Sequence, residues 1–329
     1  MTAAENFSPE LVIATINYKT AELAIDCIDS VIAGKANMPT FKMYIVDNCS
    51  DDGSVEKISA HIREHDLGQW IELIAAEKNG GYAYGNNLVL RKIISNELQP
   101  KYVWLLNPDT EIDQKAAAPL IEFLSNNEKV AAVGSRLHDK DGTAQGSAFR
   151  FPSPINEFCG YLSLGLLDRL FKNHLVRMEV RDEPHAADWL AGASLLMRAS
   201  VVREIGLMDE AYFLYFEEVD YCNSIIDAGH EIWYVPESRV YHAVGAATGI
   251  SDGRKKAPRR PQYWFDSRHR YFIKNYGKAA AVINDTLALS GYGLWNIRKK
   301  LQRKPDIDPP YFFRDLLNNS VFRRGFSIS

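Results

Sequence analysis

The chain is 329 residues long, 46% apolar, 24% charged and 11% aromatic, with 38 Lys and Arg against 42 Asp and Glu. Those proportions are ordinary for a globular protein and exclude collagen-like, mucin-like and wholly disordered classes. The net charge of −4 speaks against a generic nucleic-acid binder, but it averages two unlike parts: residues 250–329 hold 17 Lys and Arg against 6 Asp and Glu, which leaves 1–249 strongly acidic. Cys27, Cys49, Cys159 and Cys222 are scattered, with no CxxC, and are expected as reduced, mostly buried thiols. The start, MTAAENFSPE, is unlike a signal peptide, and no run of 18 apolar residues occurs, so a cytoplasmic location is expected.

In chain order, 11–16 (LVIATI) reads as a strand, followed by a helix from about Thr20 that stops at Gly34. A strand at 43–46, a turn at 47–54 and a helix placing Val55, Ile58 and Ile62 together come next. Then come a strand at 70–75, a Gly/Asn-rich turn at 79–87, a helix through Ile94 and a strand at 102–106. A helix at about 114–126 leads to a strand at 130–134. Val- and Ile-rich strands separated by helices predict βαβ units around a mainly parallel sheet, an α/β Rossmann-like fold whose ligands bind beyond the carboxyl ends of the strands. Residues 136–187 show no clear pattern. A buried strand is expected at 189–197, a helix at about 217–228 and a strand at 232–236, with a domain boundary near 250 ahead of a basic linker, 251–261, and a Tyr- and Arg-rich helix.

Three polar clusters fall at expected strand ends. LLNPDTEI places Asn107 and Asp109 after the strand at 102–106, where carboxylates suit an oxygen-loving divalent cation that bridges phosphates; N-P-D is equally common turn chemistry. VDNCSDDGS places Asp47 where a carboxylate can accept hydrogen bonds from a base or ribose, or simply cap the turn. KNGGYAYGNN supplies glycines for close backbone approach, but no G-x-G-x-x-G and no P-loop. Farther on, YFLYFEEVDYC sets Glu217, Glu218 and Asp220 among aromatics, as general-base chemistry needs and as an acidic helix N-terminus also would. On a helix Glu218 and Asp220 project nearly oppositely, so one site cannot use both alike. His242 follows a strand-like SRVY, where a lone His serves structure as readily as ligation.

Taken together and in order, ATINYKT, VDNCSDDGS, NGGYAYGNN, WLLNPDTEI, DWLAGASLLMR, GLMDEAYFLYFEEVDYC and VYHAVG resemble the family 2 inverting glycosyltransferases of GT-A fold, especially the bacterial rhamnosyltransferase-like branch. The resemblance covers about 11–250. It implies a catalytic domain over 1–250, with a donor half at about 1–135 and an acceptor half at about 136–250, and a basic, mainly helical region over 251–329. It implies that Asn17 and Asp47 line the nucleotide pocket, with Gly81, Asn86 and Asn87 near base and ribose. Asp109 would hold Mg²⁺ or Mn²⁺ from the last position of the D-x-D motif, His242 would complete the metal shell, and Glu218 would be the catalytic base. Asp188, Trp189 and Glu217 would form the acceptor side. Two departures stand out: Asn107 replaces the first acid of D-x-D, where it can still reach the ribose, and the base is Glu rather than Asp.

The implied partners are a nucleotide-sugar donor, best matched by dTDP-L-rhamnose with UDP-sugars as the alternative, and a saccharide acceptor, in this family often lipid-linked. Sugar-nucleotide pyrophosphorylases share the architecture, but they carry a Gly-rich, Arg-containing loop where this chain reads NYKTAEL. A non-catalytic binding subunit would have no need of Asp47, Asp109, Glu218 and His242 together. In the basic region Arg268 and Arg270 are expected to meet donor phosphate or an anionic membrane rather than nucleic acid. The segment 281–304, with Trp295 beside 298–304, suits peripheral docking on an anionic inner leaflet or a contact in a homo-oligomer.

Overall fold

The structure, a computed structural model, describes residues 8–162, 175–243 and 257–328. The expected boundary near 250 and the first part of the basic linker lie outside the described residues. The N-terminal part is built as the periodicity predicts: β1 (Leu11–Asn17), α1 (Ala21–Gly34), β2 (Phe41–Asp47), α2 (Ser54–Glu64), β3 (Ile71–Ala75), α3 (Gly81–Ile94) and β4 (Tyr102–Leu106). β1 pairs in parallel with β2 on one side and β4 on the other, and β2 pairs in parallel with β3. Every residue of β1 is buried because helices cover both faces, which is why its sequence is a continuous apolar run and not an alternating one. The chain moves outward from β1 first through β2 and later through β4, so a crevice opens beyond the carboxyl ends of these strands.

The remaining elements are β5 (Thr110–Ile112), α4 (Ala117–Asn126), β6 (Val130–His138), β7 (Ala148–Phe149), α5 (Pro154–Leu162), β8 (His185–Ala186), β9 (Trp189–Leu190), β10 (Ser194–Arg198), α6 (Ala199–Ile205), α7 (Glu217–Asp227), β11 (Glu231–His242), α8 (Gln262–Leu301), α9 (Phe312–Asn318) and α10 (Val321–Arg324). The main sheet runs β3-β2-β1-β4-β10-β6-β11-β5, with β8 paired to β11. β10 lies antiparallel between β4 and β6, whereas β6 and β11 are parallel. The single strand expected at 189–197 is in fact two, because the chain turns at 191–193 to leave β9 on a small separate sheet with β7. β11 is longer than expected: a register irregularity between Val235 and Arg239 absorbs Pro236, and the strand continues to His242.

One face of the sheet packs Ile13, Ile45, Trp104 and Leu196 against Ile28 of α1, Ile58 of α2 and Leu120 of α4. The other packs Val12, Ala14, Leu105 and Leu195 against Leu90 of α3, Val202 of α6 and Ile225 of α7. A third cluster joins Tyr212 and Val219 to Tyr271 and Phe272 of α8. Among the described residues Cys27, Cys49 and Cys222 are free thiols, Cys27, Cys159 and Cys222 are buried, and no helix is long and apolar enough to cross a membrane.

The two arginines singled out in the basic region have internal partners. Arg268 is 3% exposed and locked between two carboxylates: Nη1 lies 2.6 Å from Asp285 Oδ1, Nε lies 3.0 Å from each oxygen of Glu157, and Nη2 also reaches Glu157. Asp285 in turn accepts the backbone N–H of Val321 at 2.7 Å, and Asn284 donates to Glu157 at 3.0 Å. Arg270 holds Asp209 through Nη2 at 2.8 Å and Nε at 3.0 Å, and donates Nη1 to the Ile328 carbonyl. Both guanidinium groups therefore tie α8 to α5, the 209 loop and the C-terminus; Arg268 is buried, whereas Arg270 also lines a cavity of ≈ 240 Å³ with Phe213, Tyr263 and Arg324. Removing one partner of a buried pair strands the other charges. Arg268→Ala should cost about 3–5 kcal/mol in denaturant unfolding, whereas a loss below ~1 kcal/mol would show that the network adds no more than a surface ion pair.

Candidate active site

Asn17 and Asp47 end β1 and β2 and are register partners. Both are buried, and they hold each other: Asn17 Nδ2 donates to Asp47 Oδ1 at 2.7 Å. The Ser50 hydroxyl donates to the same oxygen at 2.6 Å and the Ser50 amide to Oδ2 at 3.0 Å, so Asp47 does close its turn. Asp47 also lines a cavity of ≈ 420 Å³ with Cys49, Asp51, Ser54 and Ala75, at the carboxyl ends of β2 and β3. Turn closure and ligand-pocket wall are thus compatible roles for one carboxylate.

α3 brings the Gly/Asn motif against the second half of the chain. Gly81 has φ +85°, and a Cβ there would lie 1.9 Å from the Phe213 carbonyl oxygen, so no side chain fits. The next amide, Tyr82 N–H, donates to that same oxygen at 3.0 Å. Asn86 is fully buried; its Nδ2 donates to the Tyr82 carbonyl at 3.0 Å while its Oδ1 has no donor. Asn87 is engaged internally: both amide hydrogens go to the Met208 carbonyl and Glu210, and its oxygen accepts the Met208 amide. It clamps the 208–210 loop and has no hydrogen left for base or ribose.

The turn before α7 is strained. Tyr215 and Phe216 occupy left-handed backbone at φ 72° and 69°, each at a cost of ~1–3 kcal/mol for a residue with a Cβ. The Ser267 hydroxyl on the Leu214 carbonyl and the Tyr263 ring beside Phe213 and Tyr215 hold it. This turn delivers Glu217 and Glu218 as the first two residues of α7. Asp220 departs as helical geometry predicts: it accepts from Lys274 at 2.7 Å and Asn275 at 2.9 Å on α8. Burial pushes the Glu217 carboxyl well above the usual range, and the neighbouring Glu218 charge adds to the rise; burial raises Glu218 too, against backbone amides that lower it. Oε2 of each is buried without a donor.

Asp109 follows β4 and is 6% exposed. Antiparallel pairing of β5 with the end of β11 sets His242 opposite Thr110, which brings His242 Nε2 to 3.5 Å from Asp109 Oδ1. That oxygen has no hydrogen-bond donor. A buried acceptor facing a second ligating atom is what a divalent cation would satisfy. Among the described residues no three His, Cys, Asp or Glu converge, so the chain offers this pair and leaves other positions to a ligand's oxygens. Asn107 is half-buried just after β4: its backbone amide donates to the Ala193 carbonyl at 3.2 Å, and its backbone carbonyl accepts from the Thr110 hydroxyl.

Asp188 and Trp189 are both fixed to the 149–151 stretch. Asp188 Oδ2 accepts the Phe151 amide at 2.8 Å, and Trp189 stacks on Phe149 at 4.2 Å while donating Nε1 to the Arg150 carbonyl. Tyr82, unremarked within a motif read for its glycines, is the hub. Its hydroxyl donates to the Gly192 carbonyl at 3.0 Å. Burial raises its pKa, and the charges of Glu218, Glu217 and Asp109 add to the rise.

With this geometry in hand, the glycosyl transferase family 2 pattern matches residues 11–181, just over half of the chain. The chain belongs to that family. It is 28% identical over 214 residues to a low-salt glycan biosynthesis hexosyltransferase, Agl10, of Haloferax volcanii, a match covering 65% of this chain and 60% of that protein. It is 27% identical over 219 residues to the N-acetylglucosaminyl-diphospho-decaprenol L-rhamnosyltransferase of Mycobacterium tuberculosis, covering 63% and 68%. The fold is also that of GalNAc-T7, solved with UDP, GalNAc and Mn²⁺, at a TM-score of 0.57 and 14% identity over 98% of this chain and 59% of that one. PcManGT, a mannosyltransferase from Pyrobaculum calidifontis solved with GDP-Man and Mn²⁺, superposes at 0.56 with 13% identity, covering 97% and 88%. The fold expected from the sequence, GT-A with helices flanking a mainly parallel sheet, is the one observed. The matched family segment contains Asp47 and Asp109 but ends before Glu218 and His242.

Because burial raises both glutamates, the folded state retains protons that the unfolded chain has released. Stability should therefore fall as pH rises from the ordinary carboxylate range through the raised values. Glu217→Gln removes the larger contribution and should raise the melting temperature at neutral pH while flattening its pH dependence. Parallel melting curves for variant and wild type across that range would contradict the buried-carboxylate account.

Proposed function

We propose that the protein is an inverting, divalent-metal-dependent glycosyltransferase. The observation that carries the reading is that Asp109, beside His242, and Glu217 and Glu218, at the start of α7, each keep a buried oxygen that has no donor. Unpaired buried acceptors destabilise a fold, and their recurrence on these three carboxylates speaks for ligands that complete them.

In this reading residues 1–250 form the catalytic unit. Asn17, Asp47, Gly81 and Asn86 border the donor nucleotide, and Asn107 reaches toward its ribose. Asp109 and His242 would hold Mg²⁺ or Mn²⁺, whose charge would offset the negative charge that develops on the departing diphosphate. Glu218 removes the proton from the acceptor hydroxyl as that oxygen attacks the anomeric carbon on the face opposite the leaving group. A single displacement inverts the centre, with no covalent glycosyl-enzyme. Burial suits Glu218 to this task, since a base whose pKa lies nearer the working pH gains more from taking the proton. Glu217, the more strongly raised, is suited to donate a hydrogen bond to an acceptor oxygen, with Asp188 and Trp189 farther along the acceptor side. The L-rhamnosyltransferase relative supports dTDP-L-rhamnose as donor and a lipid-linked saccharide as acceptor in cell-surface polysaccharide assembly. The hexosyltransferase relative supports transfer of a hexose; the second reading is the same chemistry with a UDP-sugar donor.

Residues 251–329 are proposed as an accessory region that meets an anionic membrane. Leu294, Ile297 and Leu301 on α8 are 50%, 59% and 79% exposed at helical spacing, beside exposed Lys300, Arg303 and Lys304. Apolar side chains rimmed by cations fit the headgroup region of an anionic bilayer.

Transfer from dTDP-L-rhamnose and from UDP-sugars to a lipid-linked acceptor, followed by product NMR, tests donor and stereochemistry together. Glu218→Gln should lower kcat by about 10²–10⁴-fold with donor affinity retained; near-wild-type turnover would remove the base assignment. Chelation should abolish transfer until Mg²⁺ or Mn²⁺ is restored, and full activity in EDTA would refute the metal role of Asp109. Liposomes containing anionic lipid should retain the protein in a salt-sensitive manner that Leu301→Glu weakens. Concentration-dependent dimerisation without liposome binding would instead assign that face to a second copy.

A further inference from the structure

The pairing of His242 with Asp109 depends on a residue in the stretch where the sequence shows no pattern. Gln145 places its carboxamide beside the His242 ring: Oε1 lies 3.1 Å from His242 Nδ1. Its Nε2 donates to the His242 carbonyl at 2.8 Å and to Asp139 Oδ1 at 2.7 Å. A carboxylate and a carbonyl can only accept, so the end of the carboxamide that meets both must be the NH₂. Oε1 is then the atom left for the ring, and Oε1 has no hydrogen. The hydrogen in the contact must be on Nδ1.

In the neutral ring this leaves the lone pair on Nε2, facing the donor-less Asp109 Oδ1 across 3.5 Å. Two acceptors opposed in a largely buried site repel each other unless a cation lies with them. If the hydrogen moved to Nε2, it would face Asp109 Oδ1, and a small closure of the 3.5 Å gap would join the two in a hydrogen bond and close the site on itself. The carboxamide is anchored twice through Nε2, and its main-chain amide donates to the Leu137 carbonyl at 2.8 Å. Asp139 opens a tight turn in which its own amide bonds the Thr143 carbonyl at 2.8 Å and Gly142 takes φ +84°.

We infer that Gln145 is the positioning residue for His242, holding the ring with hydrogen on Nδ1 and the Nε2 lone pair directed at Asp109, so that the two form an open pair of ligands for a divalent cation. The inference rests on the metal reading proposed above for its purpose, but not for the tautomer. Ligating histidines commonly use the second nitrogen in this way, and loss of such a partner typically weakens metal binding by about 10–100-fold.

The test uses the full chain with ¹⁵N-labelled histidine. Long-range ¹H–¹⁵N spectra of the metal-free protein, at a pH where the ring is neutral, should show the Nδ1–H pattern for His242. Gln145→Leu should convert it to Nε2–H, since Asp109 is then the acceptor that, among the described residues, lies beside the ring. Gln145→Glu retains an oxygen for Nδ1–H and should keep the wild-type pattern. Mn²⁺ titrations followed by EPR in the presence of UDP should show affinity falling about 10–100-fold in Gln145→Leu and recovering at least partly in Gln145→Glu. Gln145 is only partly buried, so both variants should fold, and Asp139→Ala, an exposed change that releases one anchor, provides an independent weakening. An unchanged Nδ1–H pattern in Gln145→Leu, or a changed tautomer with unchanged Mn²⁺ affinity, would overturn the inference. A wild-type protein that shows Nδ1–H but takes up no Mn²⁺ with UDP would overturn the metal reading itself.

Discussion

The candidate site depends on the backbone contact between Gly81 and Phe213. There the first turn of α3 meets the 213–216 turn so closely that a methyl group would overlap the Phe213 carbonyl oxygen. The contact joins the N-terminal βαβ units to the part of the chain that carries the glutamates, and it is polar, sealed by the Tyr82 amide on that same oxygen. Once the turn is fixed at Phe213, two left-handed residues lead directly into α7, and the glutamates have nowhere else to point. Strain at Tyr215 and Phe216 is tolerable because Gly81 on one side and Ser267 and Tyr263 of α8 on the other leave the turn no relaxed alternative.

The same geometry explains the uneven distribution of charge. The acidic N-terminal part concentrates carboxylates in a crevice where they are poorly solvated. Much of the basic C-terminal part serves as internal counter-charge: Arg268 for Glu157, Arg270 for Asp209, and Lys274 for both Asp209 and Asp220. Asp220 is therefore neutralised on the back of α7 while Glu217 and Glu218, on its first turn, are not. Adjacent acidic residues thus receive opposite electrostatic environments, and burial raises the proton affinity of the unneutralised pair.

Much of this is readable from sequence because parallel strands buried on both faces must be apolar throughout, and their ends must turn polar where the chain leaves the sheet. That logic locates Asn17, Asp47 and Asp109, and helical spacing alone separates Glu218 from Asp220. It cannot locate groups whose role depends on contacts across long stretches of chain. Gln145 meets His242 97 residues away, in a stretch without periodicity. Asn87 is indistinguishable in sequence from Asn86 until Met208 arrives to occupy its amide. Arg268 and Arg270 look like available cations because their carboxylate partners lie far off in sequence, on α5 and in the 209 loop.

The placement of β10 has a consequence for biosynthesis. β4 and β6 are not neighbours; each bonds to β10, whose last residue is Arg198. Until that residue has left the ribosome, the sheet exists as two pieces, with the inner edge of β4 open and β6 lacking both β10 and the still later β11. Open edges of apolar strands invite pairing with other chains. The nascent chain must therefore carry roughly its first 200 residues with central strands unpaired, folding late and through contacts distant in sequence. Vectorial synthesis cannot complete this domain piecewise, so its yield in a cell depends on protection of the β4 edge during translation as well as on the stability of the finished fold.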